Sequence, residues 1–583
     1  METEDISLVI TGPGGAGVIA AGELLLKTAA QLGYYGLLKK SFGPQIRGGE
    51  SSAMLRLSSK RVECLQDAVQ LLLVIDWHIL TPFIEELVFN ENTLIICDQE
   101  SGEIPQAIID SHATLCPVPL TLLSKQMKTK VNMIGVGLLA NLLGLPLTNL
   151  LAVTKEHFQG KEAALIESVI IGIETGNEYA LSVAFPALSN LGSPRKNYWL
   201  YTGNQLIGLA ALKAGIRFVA GYPITPATDL LEWMAVNIDK VGGTLVQAED
   251  ELASINMIIG ASYGGVPALT ATSGPGLSLM SEGLGLAIAS EIPLLVVNVN
   301  RGGPSTGIPT KSEQSDLNQA LFGMHGDAPH LVTAPIGIAD CAFTTGWTVN
   351  LAERLQCPAI LLSDQFIGHS IIAGDKPLFY QHTAQRETAE PDGDYLRYLN
   401  TKSGISPMAI PGTANGMYTA DGLTHNEQGH PSALANVQQQ QLDKRQRKLL
   451  RYDYGEYWGQ IDNQGDVKII CFGSLHAIIL DALTLLTQKG IAASLITLRL
   501  LAPLPIEQLQ ECLSGATHII VIEQSHGGQL FHYLASHLFK LAEFSAASYS
   551  LAKPGPVPFS SAEVADFVEQ TARLNKQGEK VND

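Results

Sequence analysis

The sequence predicts a multi-domain α/β protein, and three of its properties support that fold class. The chain has 583 residues, enough for roughly three or four domains of ordinary size. Short, continuous apolar runs such as Leu71 to Asp76 and Thr93 to Asp98 are typical of strands buried on both faces of a parallel sheet. Segments with helical periodicity alternate with these runs, and Gly/Pro-rich turns separate them, as in βαβ units.

The same patterns divide the chain into four consecutive segments, with expected limits at residues 1–190, 197–367, 368–460 and 461–583. The first begins with a strand over Ile6–Thr11 and a helix over Val18–Leu32. The third is a long irregular region, and loops of that length are usually functional, interfacial or mobile. It ends in a charged helix over Gln438–Arg451, which we expect to be exposed. The fourth contains a strand over Val467–Cys471 and a helix after it.

Charge and cysteine content exclude several classes of function. Lys+Arg 37 against Asp+Glu 56 gives a net charge of −19, which disfavours nucleic-acid partners because phosphates are repelled. The acidic N-terminus lacks the pattern of a signal peptide, and no stretch approaches the ~20 apolar residues that span a membrane. Seven cysteines without a CxxC pair predict no disulfide framework, cluster or metal site in this chain. We therefore expect a cytoplasmic protein.

Polar residues follow four predicted strands in succession within residues 197–367. The turn Gly221–Pro226 (GYPITP) ends the first of these strands, and its two prolines leave Thr225 little freedom. Glu249, Ser273 and Arg301 follow the next three strands. Stiff loops at the carboxyl ends of strands are where α/β proteins hold cofactors, so these side chains form the candidate site.

Glu249 is expected to open a helix and to share a mostly apolar face with Leu252, Ala253 and Ile259. A carboxyl group on such a face needs a partner or a proton. The plain alternative is an acidic residue favoured by the helix macrodipole, a role that suits Asp250 and Glu251 better. For Arg301 the plain alternative is a surface salt bridge, which is worth about 0–1 kcal/mol.

The motif Tyr222–Pro226 (YPITP), with Glu249 and Arg301 beyond it, resembles the α subunit of the thiamine-dependent 2-oxoacid:ferredoxin oxidoreductases. Gly12–Gly17 and Ser41–Gly49 resemble the γ domain of the same enzymes. The γ-like segment precedes the α-like segment, and this order is similar to the domain order of two-subunit members of the 2-oxoglutarate type, in which γ and α are fused in one chain. Residues 461–583 resemble the C-terminal domain of transketolase-like enzymes.

This resemblance implies an activity and a set of cofactors. The reaction is 2-oxoacid, CoA and oxidised ferredoxin giving acyl-CoA, CO₂ and reduced ferredoxin, in either direction, with 2-oxoglutarate and succinyl-CoA as the expected pair. Thiamine diphosphate is implied as cofactor, but the chain lacks the GDG…N motif for its diphosphate and Mg²⁺. A β subunit is therefore expected to supply that site and a [4Fe–4S] cluster, in an (αβ)₂ heterotetramer.

The resemblance also assigns residue roles. Glu249 matches the glutamate that hydrogen-bonds N1′ of the cofactor's aminopyrimidine, and Thr225 and Arg301 complete the implied catalytic set. The implied cofactor contacts are Pro223, Thr225, Glu249 and Ser273. The implied substrate contacts are Arg301, Thr310, Ser41 and Arg47, of which Ser41 and Arg47 suit a subunit interface equally well.

Several alternatives stay open. Gly12–Gly17 satisfies GxGxxG, but Leu37–Lys40 offers no acidic residue for a nicotinamide cofactor, so the turn suits a CoA phosphate or a purely structural role. Pyruvate or another 2-oxoacid is the alternative to 2-oxoglutarate as the expected substrate. A thiamine decarboxylase without ferredoxin and a non-catalytic scaffold subunit are further hypotheses.

Overall fold

The computed structural model of the chain describes residues 2–43, 49–100, 102–179, 184–189, 191, 198–539 and 546–573. The chain forms two compact units. Unit 1 consists of Met1–Thr202, His369–Lys376 and Pro556–Glu563, and unit 2 of Gly203–Gly368, Pro377–Gly555 and Val564–Asp583. The α/β class is confirmed, whereas the four expected segment limits stay predictions. Within the described residues, no helix has both the length and the apolar character that a membrane crossing requires.

The helices and strands follow one another along the chain in three stretches. Up to Thr202 they are β1 (Glu2–Thr3), β2 (Asp5–Pro13), α1 (Val18–Gln31), β3 (Tyr35–Phe42), β4 (Glu50–Ser58), β5 (Leu71–Val74), α2 (Trp77–Leu80), β6 (Leu94–Asp98), α3 (Gln106–Asp110), β7 (Thr114–Val118), α4 (Leu120–Met127), α5 (Val131–Leu143), α6 (Leu147–His157), α7 (Ala163–Glu178), β8 (Ala187–Leu188) and β9 (Trp199–Thr202). Up to Gly374 they are α8 (Gly203–Ala214), β10 (Phe218–Gly221), α9 (Thr228–Asn237), β11 (Thr244–Gln247), α10 (Glu251–Tyr263), β12 (Ala268–Thr272), α11 (Gly274–Ala289), β13 (Leu294–Asn300), α12 (Leu317–Phe322), β14 (Leu331–Thr333), α13 (Cys341–Leu355), β15 (Pro358–Asp364), α14 (Gln365–His369) and β16 (Ile371–Gly374). The rest are α15 (Ala435–Leu450), β17 (Gly459–Asp462), β18 (Val467–Phe472), α16 (Leu475–Gln488), β19 (Ala493–Leu498), β20 (Leu500–Ala502), α17 (Ile506–Leu513), β21 (His518–Glu523), α18 (Gln529–Leu534), β22 (Ala547–Ala552) and α19 (Ser561–Ala572).

Unit 1 is built on an eight-stranded sheet in the order β7-β6-β5-β2-β4-β3-β16-β9. The predicted strands β2, β5 and β6 are present and parallel, but the expectation of a parallel sheet is wrong for β4 and β16, which run opposite to the other strands. The β4 strand is antiparallel to both β2 and β3. Only seven residues, 43–49, separate β3 from β4, too few for the crossover that a parallel pair needs.

The glycine-rich turn after β2 depends on the backbone freedom of two residues. Gly15 and Gly17 both have φ of 84°, in the region that L-residues with a side chain rarely adopt. Gly17 precedes α1, and its carbonyl accepts a hydrogen bond from Nδ2 of Asn132 at 3.0 Å. A Cβ on Gly17 would lie 2.7 Å from that nitrogen, whereas one on Gly15 would meet nothing within 4 Å.

Gly17→Ala is therefore expected to destabilise the protein more than Gly15→Ala. Both substitutions place a side chain at positive φ, which costs about 1–2 kcal/mol, but only Gly17→Ala also pushes against the Asn132 amide. Thermal unfolding of the two variants measures the difference. Equal unfolding midpoints would show that the Asn132 contact contributes nothing to the turn.

Unit 2 contains a seven-stranded sheet in the order β11-β10-β12-β13-β15-β14-β20. Its strands are parallel except β20, which is antiparallel to β14. The core strands β12, β13 and β15 are buried along their whole length. Four carboxyl ends therefore lie side by side along one edge of the sheet, perpendicular to the strands, in the order β11, β10, β12 and β13. The strand β11 pairs with β10 and not with β12.

A second, five-stranded sheet of unit 2 has the order β17-β19-β18-β21-β22. The strands β18, β19, β21 and β22 are parallel, and β17 is antiparallel at the edge. The predicted strand over Val467–Cys471 and the helix after it are present as β18 and α16. The strand β20 follows β19 after a single residue, Arg499, so that consecutive strands belong to two different sheets.

In the predicted irregular region, 368–460, the regular elements after α14 are β16, α15, a 3₁₀ helix over Gly455–Trp458 and the first residues of β17. The expectation that α15 is exposed is wrong for one face of the helix. Lys444 and Lys448 in this helix are 0% and 2% exposed. Nζ of Lys444 donates to Oε1 of Glu291 at 2.5 Å, and Nζ of Lys448 donates to Oε2 at 2.9 Å. Burial by itself raises the pKa of Glu291, but Lys444, Lys448 and Arg397 together outweigh it and hold that pKa below its usual value.

Candidate active site

Thr225 and Arg301 are in direct contact at the edge formed by the strand ends. Thr225 lies in the turn after β10, and its carbonyl oxygen accepts a hydrogen bond from Nη1 of Arg301 at 2.6 Å. Nδ2 of Asn204 donates to the carbonyl of Pro226 at 3.0 Å and ties the turn to α8. Pro223, a predicted cofactor contact, is exposed in the same turn. Two of the three predicted catalytic residues therefore lie together.

Glu249 lies at the same edge, but it does not begin a helix. Asp250 is the N-cap of α10 and accepts a hydrogen bond from the amide of Ala253 at 2.7 Å, so the helix starts at Glu251. The expectation that Glu249 opens the helix and shares a mostly apolar face with Leu252, Ala253 and Ile259 is wrong, because Glu249 precedes the helix and is exposed. Leu252 is itself 50% exposed. In the part of the chain that the structure describes, no residue donates a hydrogen bond to the Glu249 carboxylate.

The three neighbouring acids thus have different environments. Asp250 caps its helix, and Glu251 is buried, 7% exposed. A Cβ on Gly276 would lie 2.7 Å from Oε1 of Glu251, so this carboxylate packs against the first turn of α11. Of the three acids, Glu249 is the one whose side chain is exposed and can be reached by a molecule in solution.

Ser273 lies between β12 and α11 and is fully buried. It occupies the N-cap position of α11 without making a side-chain cap, and its Oγ has no hydrogen-bond partner among the described residues. A buried hydroxyl without a partner costs free energy. This hydroxyl therefore fits a polar group of a bound cofactor or an ordered water.

Arg301 follows β13 and is 7% exposed. Burial lowers the pKa of its guanidinium, and the negative charge of Asp316 opposes that lowering. Its Nε has no hydrogen-bond partner among the described residues, so the side chain retains donors for an incoming carboxylate. The loop after Arg301 folds back, because the amide of Gly302 donates to the carbonyl of Lys311 at 3.0 Å. Buried Thr310 is thereby brought back towards the end of β13.

Asn298, Asn300 and Asp316 form a polar network that sequence reasoning missed. Nδ2 of Asn298 donates to Oδ2 of Asp316 and to Oδ1 of Asn300, each at 2.9 Å. Burial raises the pKa of Asp316. The available signal was the pair of asparagines at alternate positions of the otherwise apolar strand β13, since a buried polar residue in a strand needs a partner.

The remaining predicted substrate contacts belong to the first part of the chain. Ser41 lies in β3 of unit 1, is 1% exposed and pairs with Ser52 of β4. Arg47 lies outside the described residues. The other predicted site residues all belong to unit 2.

The described residues offer little to a metal ion. Among them, no group of three or more His, Cys, Asp or Glu side chains is arranged to hold one. All seven cysteines are free thiols, and six of them are buried. At the strand ends, the carboxyl group of Glu249, the hydroxyl groups of Thr225 and Ser273 and the guanidinium of Arg301 can hold organic groups and an anion through hydrogen bonds.

Three sequence families match consecutive parts of the chain. Residues 7–179 match pyruvate ferredoxin/flavodoxin oxidoreductase. Residues 209–444, which contain the strand-end site, match the thiamine diphosphate-binding part of pyruvate flavodoxin/ferredoxin oxidoreductase. Residues 465–551 match pyruvate:ferredoxin oxidoreductase core domain II.

Curated relatives and a solved structure agree with these matches. The chain is 30% identical to 2-oxoacid:ferredoxin oxidoreductase 2, subunit alpha, of Aeropyrum pernix, over 91% of this chain and 93% of that protein. It is 34% identical to 2-oxoglutarate synthase subunit KorA of Methanothermobacter marburgensis, over 57% of this chain and 88% of that protein. A 2-oxoglutarate:ferredoxin oxidoreductase from Magnetococcus marinus, solved with 2-oxoglutarate, coenzyme A and succinyl-CoA bound, matches with a TM-score of 0.88 and 32% identity, covering 97% of this chain and 99% of that one.

Proposed function

The chain belongs to the 2-oxoacid:ferredoxin oxidoreductases, as an alpha subunit of these thiamine-dependent enzymes, and from this we propose that Glu249, Thr225 and Arg301 are its catalytic residues. The family membership confirms the resemblance drawn from Tyr222–Pro226. The observation that carries the residue assignment is the hydrogen bond from Arg301 to the Thr225 carbonyl, at an edge where Glu249 is the exposed acid.

The described residues fit a thiamine cofactor at its aminopyrimidine end. Glu249 is free to hydrogen-bond N1′, the buried Oγ of Ser273 lacks a partner, and Pro223 is exposed beside them. When bound, thiamine diphosphate supplies the nucleophilic carbon and accepts the electron pair that decarboxylation leaves. Glu249 would hold a proton at N1′ and so favour one tautomer of the ring. Arg301 binds the substrate carboxylate, and Thr225, held through its own carbonyl, orients the keto group with Thr310 close by.

We assign 2-oxoglutarate as the substrate, converted with CoA to succinyl-CoA and CO₂ while ferredoxin takes the electrons. The support is the similarity to relatives named 2-oxoglutarate synthase and to the enzyme solved with 2-oxoglutarate and succinyl-CoA. Ser41 and Arg47 are proposed further substrate contacts. Pyruvate or another 2-oxoacid is the competing assignment, and activity measured with a panel of 2-oxoacids decides between them.

A β subunit completes the proposed enzyme. It carries the diphosphate and Mg²⁺ site and a [4Fe–4S] cluster, and the two chains form an (αβ)₂ heterotetramer that reduces ferredoxin. The exposure of Glu249 supports this, because a carboxyl group that binds an aminopyrimidine in a water-excluded site needs a second surface over it. Seven free thiols suit the reducing conditions of the cytoplasm.

Purification of the tagged chain from its native cells tests the proposal. We expect a co-purifying partner that contains iron and sulfide, and CoA-dependent reduction of a viologen dye with 2-oxoglutarate in preference to pyruvate and 2-oxobutyrate. Preference for another 2-oxoacid would change the assigned substrate but not the assigned enzyme class. Consumption of oxoacid by the lone, iron-free chain would instead identify a decarboxylase, and absence of both partner and activity would identify a scaffold.

A further inference from the structure

Asp316 stands at the N-terminus of α12, but its side chain does not cap that helix. It is the N-cap residue of α12, where an aspartate commonly accepts a hydrogen bond from the first turn of its own helix. The Asp316 side chain makes no such bond. Its carboxylate points instead to the carboxyl ends of β12 and β13, which are the strands that precede Ser273 and Arg301.

The contacts and the charge of this carboxylate connect three parts of the candidate site. Oδ2 accepts a hydrogen bond from Asn298 in β13 at 2.9 Å. A Cβ on Gly274 would lie 2.7 Å from Oδ1, so the carboxylate packs against the first residue of α11, next to Ser273. A negative charge is favourable at that helix end. The link to Arg301 is electrostatic and not a contact, because the negative charge of Asp316 opposes the lowering that burial causes in the pKa of the Arg301 guanidinium.

The chain around Asp316 is fixed at several points. Oγ of Ser312 donates to Oδ1 of Asp364 at 3.1 Å. Nε2 of Gln314 donates to the carbonyl of Phe472 at 2.7 Å, and Nε2 of Gln529 donates to the carbonyl of Ser315 at 2.8 Å. This anchoring holds Asp316 in a defined place relative to the end of β13.

We propose that Asp316 is a positioning residue whose negative charge weakens the hold of Arg301 on the substrate carboxylate. The inference rests on the proposed role of Arg301. Arg301 must bind the carboxylate of the 2-oxoacid, yet this is the group that leaves as CO₂. Tight binding of the ground state alone lowers KM without helping the reaction. A fixed negative charge that acts on the arginine limits that ground-state binding.

Asp316→Asn in the assembled enzyme tests this. Asparagine keeps an acceptor for Asn298 but removes the charge. We expect KM for the 2-oxoacid and kcat to fall together by about five- to tenfold, the effect of one partly screened charge, with kcat/KM nearly unchanged. Asp316→Ser, which is smaller and also neutral, should act in the same direction and serves if the asparagine variant does not assemble.

Other results would overturn the inference. An unchanged or raised KM would do so, and so would a fall in kcat/KM accompanied by a lower thermal unfolding midpoint, which is the result expected of a purely structural residue. Arg301→Gln, measured in parallel, separates this inference from its premise. A wild-type KM in Arg301→Gln would remove the assignment of Arg301, whereas a raised KM there with an unaltered KM in Asp316→Asn would overturn only the role of Asp316.

Discussion

Glu249→Gln is expected to lower the kcat of the assembled enzyme by about 10²- to 10⁴-fold, the usual contribution of a positioned proton-transfer group. Glutamine keeps the length of the side chain but cannot hold a proton at N1′ of the cofactor. Because Glu249 is exposed and has no partner among the described residues of its chain, its replacement should leave folding and the thermal unfolding midpoint unchanged. Single-turnover reduction of a viologen dye measures the effect directly.

Its two neighbours provide matched controls. Asp250→Asn keeps a good N-cap for α10 and should retain most of the activity. Glu251→Gln alters a buried carboxylate against α11 and should affect stability more than kcat. Activity in Glu249→Gln close to that of the wild type would contradict the assignment, and a comparable loss in Glu251→Gln alone would transfer it to Glu251.

Glu291→Gln is expected to destabilise unit 2 by about 3–5 kcal/mol, because it leaves two buried ammonium groups without their counter-charge. Lys444 and Lys448 both donate to the Glu291 carboxylate. Nη2 of Arg397 donates to the backbone carbonyl of Glu291 at 2.8 Å. These contacts attach α15 and the irregular region to the end of α11. The unfolding midpoint should fall, and limited proteolysis should cut the region between β16 and α15 faster.

An exposed ion pair is the control for this prediction. Glu569 pairs with Lys489 at 2.6 Å, on side chains that are 21% and 36% exposed. Glu569→Gln should leave the midpoint and the proteolysis rate unchanged, since exposed pairs contribute little. If Glu291→Gln behaved in the same way, the buried cluster would not hold α15 in place.

Many of the strands, and the strand ends that form the candidate site, could be predicted from sequence because local patterns determine them. Apolar runs identified β5 and β6, and turns rich in Gly and Pro marked the strand ends that carry Thr225 and Arg301. The helix start at Glu251 also had a local signal, since Asp250 is a better N-cap than Glu249. The spacing of apolar residues does not reflect N-cap preference, so a prediction from that spacing places Glu249 on the helix.

Long-range pairing explains what sequence could not provide. The burial of α15 depends on Glu291, which lies 153 residues before Lys444. The Asn298–Asp316 hydrogen bond joins positions 18 residues apart. It uses the side chain of an N-cap residue that does not cap its own helix. The Thr225–Arg301 contact spans 76 residues. No pattern within a window of sequence reports such partners, so the charged residues of α15 predicted an exposed helix, and the role of Asp316 was not predicted.

The insertion of β16 between β3 and β9 has a consequence for synthesis on the ribosome. The strand comprises Ile371–Gly374, yet it pairs with β3 and β9, which end at Phe42 and Thr202. When residue 202 has been translated, the nascent chain still carries two unpaired strand edges, which invite pairing with other chains. The first sheet is completed only after β10 to β15, six of the seven strands of the sheet that holds Thr225 and Arg301, have emerged. The two units therefore cannot fold strictly one after the other, because a strand from the middle of the chain completes a sheet built from its first 202 residues.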